Sequence, residues 1–225
     1  NIVFPELSKL SAENETDKLK IIIKNALEVT ALFVIPMSIG IAFLSSDIIK
    51  IIYERGEFTA QSTYLTSGAL SFYAIGMIGY GIMEILNKVF YAMQDAKTPM
   101  KTSGIAIILN IVLSIVFVKV MGYRGLPLAA SIVSIIVAAI MILIAFSKIK
   151  LNFEKENVLE IVKYIIAGVV LASVLAIVNI FKFGSILKIV ISVLLGMVSY
   201  FTVLFLLKSE MIDYAIKQIK EKIKS

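Results

Sequence analysis

Apolar residues in this chain fall into six blocks of about twenty, separated by short charged or turn-forming stretches. A helix of roughly 20 residues crosses the hydrocarbon core of a bilayer, so this spacing predicts six membrane-spanning helices. They are expected at about Ala26–Ser45, Leu65–Leu86, Gly104–Val120, Leu126–Phe146, Ile161–Ile180 and Ile186–Leu207. A membrane β-barrel would instead show alternating segments of about ten residues, and the chain has none of that pattern. Pro36 inside the first span predicts a kink, whereas Pro127 falls in the first turn of the fourth, where proline is tolerated. Gly68, Gly76, Gly79 and Gly81 would let the second span approach its neighbours closely.

The connections carry their own signals. Asp47–Glu54 alternates charge with isoleucine and is too short to cross, so it either continues the first helix or forms an interfacial turn. Arg55–Thr59 reads as a loop, with Thr59 to Ser62 available to cap the next helix. Asp95–Pro99 is expected to be a turn and Gly122–Gly125 a tight connection. The opening Asn1–Pro5 lacks an initiator methionine and a signal peptide and reads as the end of an earlier helix, so an N-terminal part is expected to be missing. After the last span, Ile212, Ile216, Ile219 and Ile223 form one stripe, with Lys217, Lys220, Glu221, Lys222 and Lys224 around the rest. That pattern suits an amphipathic helix lying on an anionic membrane surface, against the plainer reading of a solvated tail.

Composition agrees with a membrane solvent. Of 225 residues, 59% are hydrophobic and 17% are charged, and the mean hydropathy is +0.95, which leaves too little polar surface to cover a water-soluble globule. The fold class is therefore all-α: a polytopic membrane protein with about six transmembrane helices and a C-terminal amphipathic helix. The net charge of +6 comes from lysines and arginines flanking the spans and implies no nucleic-acid partner. Of the 22 Lys and Arg residues, 16 fall on the first, third, fifth and last connections. The positive-inside rule then places both ends of the chain in the cytoplasm.

Enzymatic chemistry has little to work with. The chain has no Cys and no His, so it lacks thiolate metal sites, disulfides and the usual general base. No phosphate-cradling glycine loop or zinc-protease motif occurs, and no cofactor or metal is expected. Glu84 and Lys88 are spaced to pair on one helix face near the end of the second span. Asn110 and Ser114 lie one turn apart in the third span, and Ser131 and Ser134 occupy the fourth. If they face one another they form a small polar patch or cation site; the plainer reading is interhelical hydrogen bonding, and the identity of any coupling cation is open.

Four segments go beyond what a membrane topology requires. They are Phe4-Pro5-Glu6-Leu7-Ser8-Lys9; Tyr53-Glu54-Arg55-Gly56-Glu57-Phe58-Thr59-Ala60 with Leu70–Gly76; Phe90–Lys101 (FYAMQDAKTPMK); and Gly122-Tyr123-Arg124-Gly125-Leu126. In this order and spacing they resemble the MurJ (MviN) family of lipid II flippases, within the multidrug/oligosaccharidyl-lipid/polysaccharide exporter superfamily. The resemblance covers about residues 1–146. It implies the end of helix eight followed by helices nine to fourteen of a fourteen-helix transporter. On that template residues 1–25 are the end of an upstream helix and a cytoplasmic linker, and 26–146 are the remainder of the second lobe. Residues 147–207 are a helix pair offering the lipid tail a groove, and 208–225 are a cytoplasmic amphipathic tail.

The implied function is transport, with no enzymatic step: flipping undecaprenyl-pyrophosphate-linked peptidoglycan precursor across a bacterial cytoplasmic membrane by alternating access. Partners would be lipid II, membrane lipids and the missing N-terminal half, which holds the main headgroup-binding arginines. Candidate substrate and gate residues are Arg55 and Glu57 on the outer side, Glu84 and Lys88 at a cavity mouth, and Asp95, Lys97, Thr98, Pro99 and Lys101 in an inner gate loop. Alternatives are a polysaccharide-lipid or multidrug exporter of the same superfamily, or a non-transporting scaffold for cell-wall synthesis.

Overall fold

A computed structural model describes residues 3–13, 15–181 and 183–213. The elements are α1 (Val3–Ala12), α2 (Thr16–Tyr53), α3 (Ala60–Ala92), α4 (Lys97–Met121), α5 (Gly125–Lys148), α6 (Lys155–Ile180) and α7 (Ser185–Leu206). Helices dominate because a bilayer offers backbone N–H and C=O groups no water, so each segment must satisfy its own. Five uninterrupted helical runs are long and apolar enough to cross a membrane, and the longest, Lys97–Lys148, is 52 residues. That run reverses at a single 3₁₀ turn, Gly122–Arg124, after which α5 packs back along α4. The described residues therefore hold six spanning helices, α2 to α7. Gly122 takes φ +63°, and a Cβ on Gly125 would lie 2.4 Å from the Phe117 carbonyl carbon, so this tight reversal needs glycine at both places.

Packing runs in a row: α4 against α5, α5 against α3, α3 against α2, and α2 against the α6–α7 pair. The α1 helix lies on α2 and α3, where Leu7 and Leu10 join Leu19, Ile23, Leu86, Val89 and Phe90 in one apolar core. A second core binds Ala31 and Leu32 of α2 to Tyr164, Leu171 and Leu175 of α6 and Tyr200 and Leu204 of α7. Helices in lipid gain little from hiding apolar surface, so close backbone approach must hold them. The α3–α5 crossing shows this directly. Ser131 Oγ donates to the Phe72 carbonyl at 2.7 Å, and Ser134 Oγ donates to the Gly76 carbonyl at 2.9 Å. A Cβ on Gly76 would meet Ser131 Cα at 2.6 Å, and one on Gly79 would meet the Ser134 carbonyl carbon at 2.6 Å.

Boundaries differ from hydropathy in instructive ways. The first spanning helix begins at Thr16 rather than near Ala26, because Leu19 and Ile23 pack against α1 and α3 while Lys20 pairs with Asp17 on the outer face. It also runs on through Tyr53, so Asp47–Glu54 continues the helix up to its last residue. Beyond α7, helical backbone resumes at Glu210–Asp213. The remaining residues of the amphipathic stripe, Ile216, Ile219 and Ile223 with their lysines, lie outside the described residues.

Substituting Gly79→Ala is expected to lower stability by about 1–3 kcal/mol by forcing α3 away from α5. Gly104→Ala, with nothing within 4 Å of the added carbon, should leave it unchanged or slightly raised. Thermal unfolding in detergent compares the two.

Candidate functional site

The turn between α3 and α4 is a clasp. Helix α3 closes with Asp95 N–H donating to the Phe90 carbonyl at 2.8 Å and Gln94 N–H to the Tyr91 carbonyl at 3.0 Å. Gln94 takes the left-handed φ of 59° that this closure requires. Asp95 then accepts from the Thr98 amide at 3.1 Å and the Thr98 hydroxyl at 2.6 Å. Lys148, at the far end of α5, reaches back to Asp95 Oδ2 at 2.6 Å and Thr98 Oγ1 at 2.8 Å. The Lys148 ammonium and the Thr98 hydroxyl hold the Asp95 carboxyl down to about 2. Thr98 and Pro99 are buried in the first turn of α4, whereas Lys97 and Lys101 are exposed. The expected gate loop is thus tied to α5, and its two lysines face outward.

A second clasp at the same end joins α6 to α7. The buried Glu160 carboxylate pairs with Lys163, and it accepts from the Ser209 hydroxyl at 2.6 Å and the Glu210 amide at 3.2 Å. Burial opposes its charge, and Lys163, Ser209 and the Glu210 amide surround it with compensating donors. Lys163 also donates to the Lys208 carbonyl at 2.9 Å. Nearby, Lys24 pairs with Glu154 at 3.0 Å and Asn157 donates to Glu28 at 2.7 Å, joining α2 to α6.

At the opposite end, Arg55 and Glu57 are exposed on the α2–α3 turn. Their neighbours build that turn: Thr63 donates to Glu54 at 2.7 Å, and the Tyr53 and Phe58 rings stand 5.7 Å apart. Arg124 lies over the Tyr64 ring at 4.9 Å and donates to the Tyr123 hydroxyl at 2.9 Å. Lys188 and Asp47, both largely shielded, pair at 2.9 Å and join α7 to α2.

Within the spans, Glu84 and Lys88 do pair, at 3.0 Å, on the open side of α3. The four-residue polar patch is not assembled. Ser114 donates to Asn110 at 3.3 Å along α4, while Ser131 and Ser134 turn to α3 carbonyls. The reason is geometric: the glycines of α3 bring its carbonyls within reach of α5, and the serine hydroxyls are used there.

An apolar groove of about 420 Å³ lies between α2, α6 and α7, with Met37, Gly40, Leu44, Leu175, Val193 and Gly196 among its lining. Pro36 creates part of it. Lacking an N–H, Pro36 leaves the Leu32 carbonyl without its helical partner, and the buried Tyr200 hydroxyl donates to that carbonyl at 3.0 Å. Ser192 is buried in the groove wall, and its hydroxyl has no hydrogen-bond partner among the described residues.

Comparison with known proteins decides the family. The family model described as lipid II flippase MurJ matches residues 1–212. The chain belongs to the MurJ family. Among curated relatives, the lipid II flippase MurJ of Thermosipho africanus is 38% identical over 130 residues, covering 58% of this chain and 27% of the relative. The probable lipid II flippase MurJ of Rickettsia prowazekii is 36% identical over 131 residues, covering 58% of this chain and 26% of the relative. A solved structure titled lipid II flippase MurJ, inward closed conformation, superposes with a TM-score of 0.78 at 28% identity, covering 94% of this chain and 43% of that one. The matching part of the chain thus covers about a quarter of the length of these curated relatives.

Within this MurJ-family fold, several contacting residues carried no signal along the chain. Lys148 stands 53 residues from Asp95, and Ser209 stands 49 from Glu160, so only folding shows that they meet. One feature was readable. Tyr73, Tyr80, Glu84 and Tyr91 recur at spacings of seven, four and seven, which places them on one face of α3.

The folded pKa of Asp95 is depressed, so the clasp's stabilisation is fully present above the ordinary carboxyl value of 3.8 and is lost as pH falls through about 2. Lys148→Ala or Asp95→Ala should each cost about 1 kcal/mol, given the partial exposure of the pair. Limited proteolysis at the α3–α4 turn across pH 7 to 3 should show both variants cut faster at neutral pH and the wild type approaching them only at the acid end.

Proposed function

We propose that this chain forms part of a transporter that carries lipid II, an undecaprenyl-pyrophosphate-linked peptidoglycan precursor, across a bacterial cytoplasmic membrane. The step is movement of the substrate, with no chemical change to it. The groove between α2, α6 and α7 carries the reading: in a member of this family, it is an apolar channel open to lipid in which a prenyl chain can lie while its headgroup crosses elsewhere. A pyrophosphate headgroup needs a hydrated, positively charged route, because charge in the bilayer centre is costly.

The lysine-rich end is the cytoplasmic one in this reading. It holds the start of α2, the α3–α4 turn, the α5–α6 linker and the end of α7. Alternating access then moves α3, α4 and α5 together, since Lys148 ties the turn to α5. Lys97 and Lys101 present positive charge toward the opposing lobe, and Arg55 and Glu57 do the equivalent on the outer side.

The complete natural protein, reconstituted in vesicles, should translocate labelled lipid II; absence of translocation with the protein folded would defeat the proposal. Gly40 lines the groove and has nothing within 4 Å of an added Cβ, so Gly40→Phe should fill the groove without loss of thermal stability and slow translocation about tenfold or more. Lys97→Glu should weaken complementation of a flippase-depleted strain by reversing charge at the gate; full complementation counts against that role.

A further inference from the structure

The open face of α3 differs from every lipid-like surface around it. Exposed positions along the middle of α4 are aliphatic, among them Ile107, Ile108, Ile111, Val112 and Ile115. Along α3, in contrast, Tyr73, Tyr80, Glu84, Asn87, Lys88 and Tyr91 share one face. Tyr73 and Tyr80 are 46% and 45% exposed and straddle the midpoint of the 33-residue helix. Glu84 and Lys88 expose 65% and 36% of their side chains. Phenol groups at mid-helix depth are expensive against hydrocarbon, so the face borders water or polar matter there, and Glu84 and Lys88 continue it toward the helix end. It is also unlike the helix contacts of this bundle, which use Gly76 and Gly79 against Ser131 and Ser134. A row of tyrosines holds backbones apart.

This face opens on the same side as the groove. Thr30 Cγ2 lies 2.8 Å from where a Cβ on Gly81 would sit, on the shoulder of the tyrosine row. Met37, Ile41 and Ile48 continue from Thr30 at spacings of seven, four and seven along one face of α2, and all three line the groove. One helix, α2, therefore separates an apolar channel from an aromatic and polar track. That is the division a lipid with a bulky polar headgroup requires.

We propose that the α3 face is the track for the carbohydrate part of the headgroup, with Tyr73 and Tyr80 stacking on sugar rings. This rests on the transport reading above. A pyranose presents one face of C–H bonds, weakly positive, which suits the negative face of a tyrosine ring; its hydroxyls suit polar neighbours. The two rings stand two helical turns apart, about 10 Å, a separation that two linked sugars can span. Stacking tolerates sliding, so such a track binds without trapping.

The test measures binding by the complete natural protein in nanodiscs, with lipid II and sugar-free undecaprenyl pyrophosphate as probes. Tyr73→Leu and Tyr80→Leu should each weaken lipid II binding about three- to tenfold and leave the sugar-free probe unaffected. Tyr80→Phe, which keeps the ring, should bind lipid II nearly as wild type. Unchanged lipid II affinity in both leucine variants overturns the proposal. So does an equal loss for both probes, the result expected if the face merely packs on another part of the protein. A phenylalanine variant as weak as the leucine one overturns stacking. Wild-type protein that binds neither probe overturns the transport reading itself, and this inference with it.

Discussion

Helices already surrounded by hydrocarbon have no hydrophobic reason to associate, and the contact that answers this in the present bundle is the crossing of α3 and α5. Gly76 and Gly79 bring the α3 backbone against Ser131 and Ser134 so closely that no Cβ fits between. The serine hydroxyls convert that closeness into hydrogen bonds to α3 carbonyls. With α5 fixed to α3, α4 is carried on α5, and α2 and α1 close the other side. The same contact leaves the tyrosine face of α3 open, because both flanks of the helix are taken.

Proline adds a second constraint. Pro36 frees the Leu32 carbonyl, and Tyr200 satisfies it from α7. A buried hydroxyl with one fixed partner sets where α7 lies against α2. Gly40 keeps the space beside it empty, Gly196 lets α7 close on Leu171 of α6, and the groove results. A device that repairs a helix defect thus also shapes an apolar groove.

The charged ends hold the bundle in register. Asp95–Lys148, Glu160–Lys163–Ser209 and Lys24–Glu154 all lie at one end, and Asp47–Lys188 lies at the other. Each brings together residues far apart along the chain, and each sits near the membrane boundary, where an ion pair escapes the full cost of the bilayer centre. A turn built this way is tied to the helices it joins.

Six spans, their order and the all-helical class were legible in the chain, because bilayer thickness imposes a length of apolar sequence that needs no partner to be recognised. The family was legible in its loops, where turn chemistry such as Asp95-Ala96-Lys97-Thr98-Pro99 departs from what topology alone demands. Helix ends were not: α2 begins at Thr16 because Leu19 and Ile23 find partners on α1 and α3, and hydropathy along one helix says nothing of another. The serines were legible in kind but not in partner, for the same reason. Interhelical hydrogen bonding was the plainer reading for Ser131 and Ser134, and the approach of Gly76 and Gly79 made α3 the partner. Sequence by itself determined that this protein spans a membrane, and with which segments. Which polar groups meet, and on which side the groove and the tyrosine track open, tertiary structure alone decided, because in lipid helix pairing is set by close shape rather than by the apolar pattern that sequence displays.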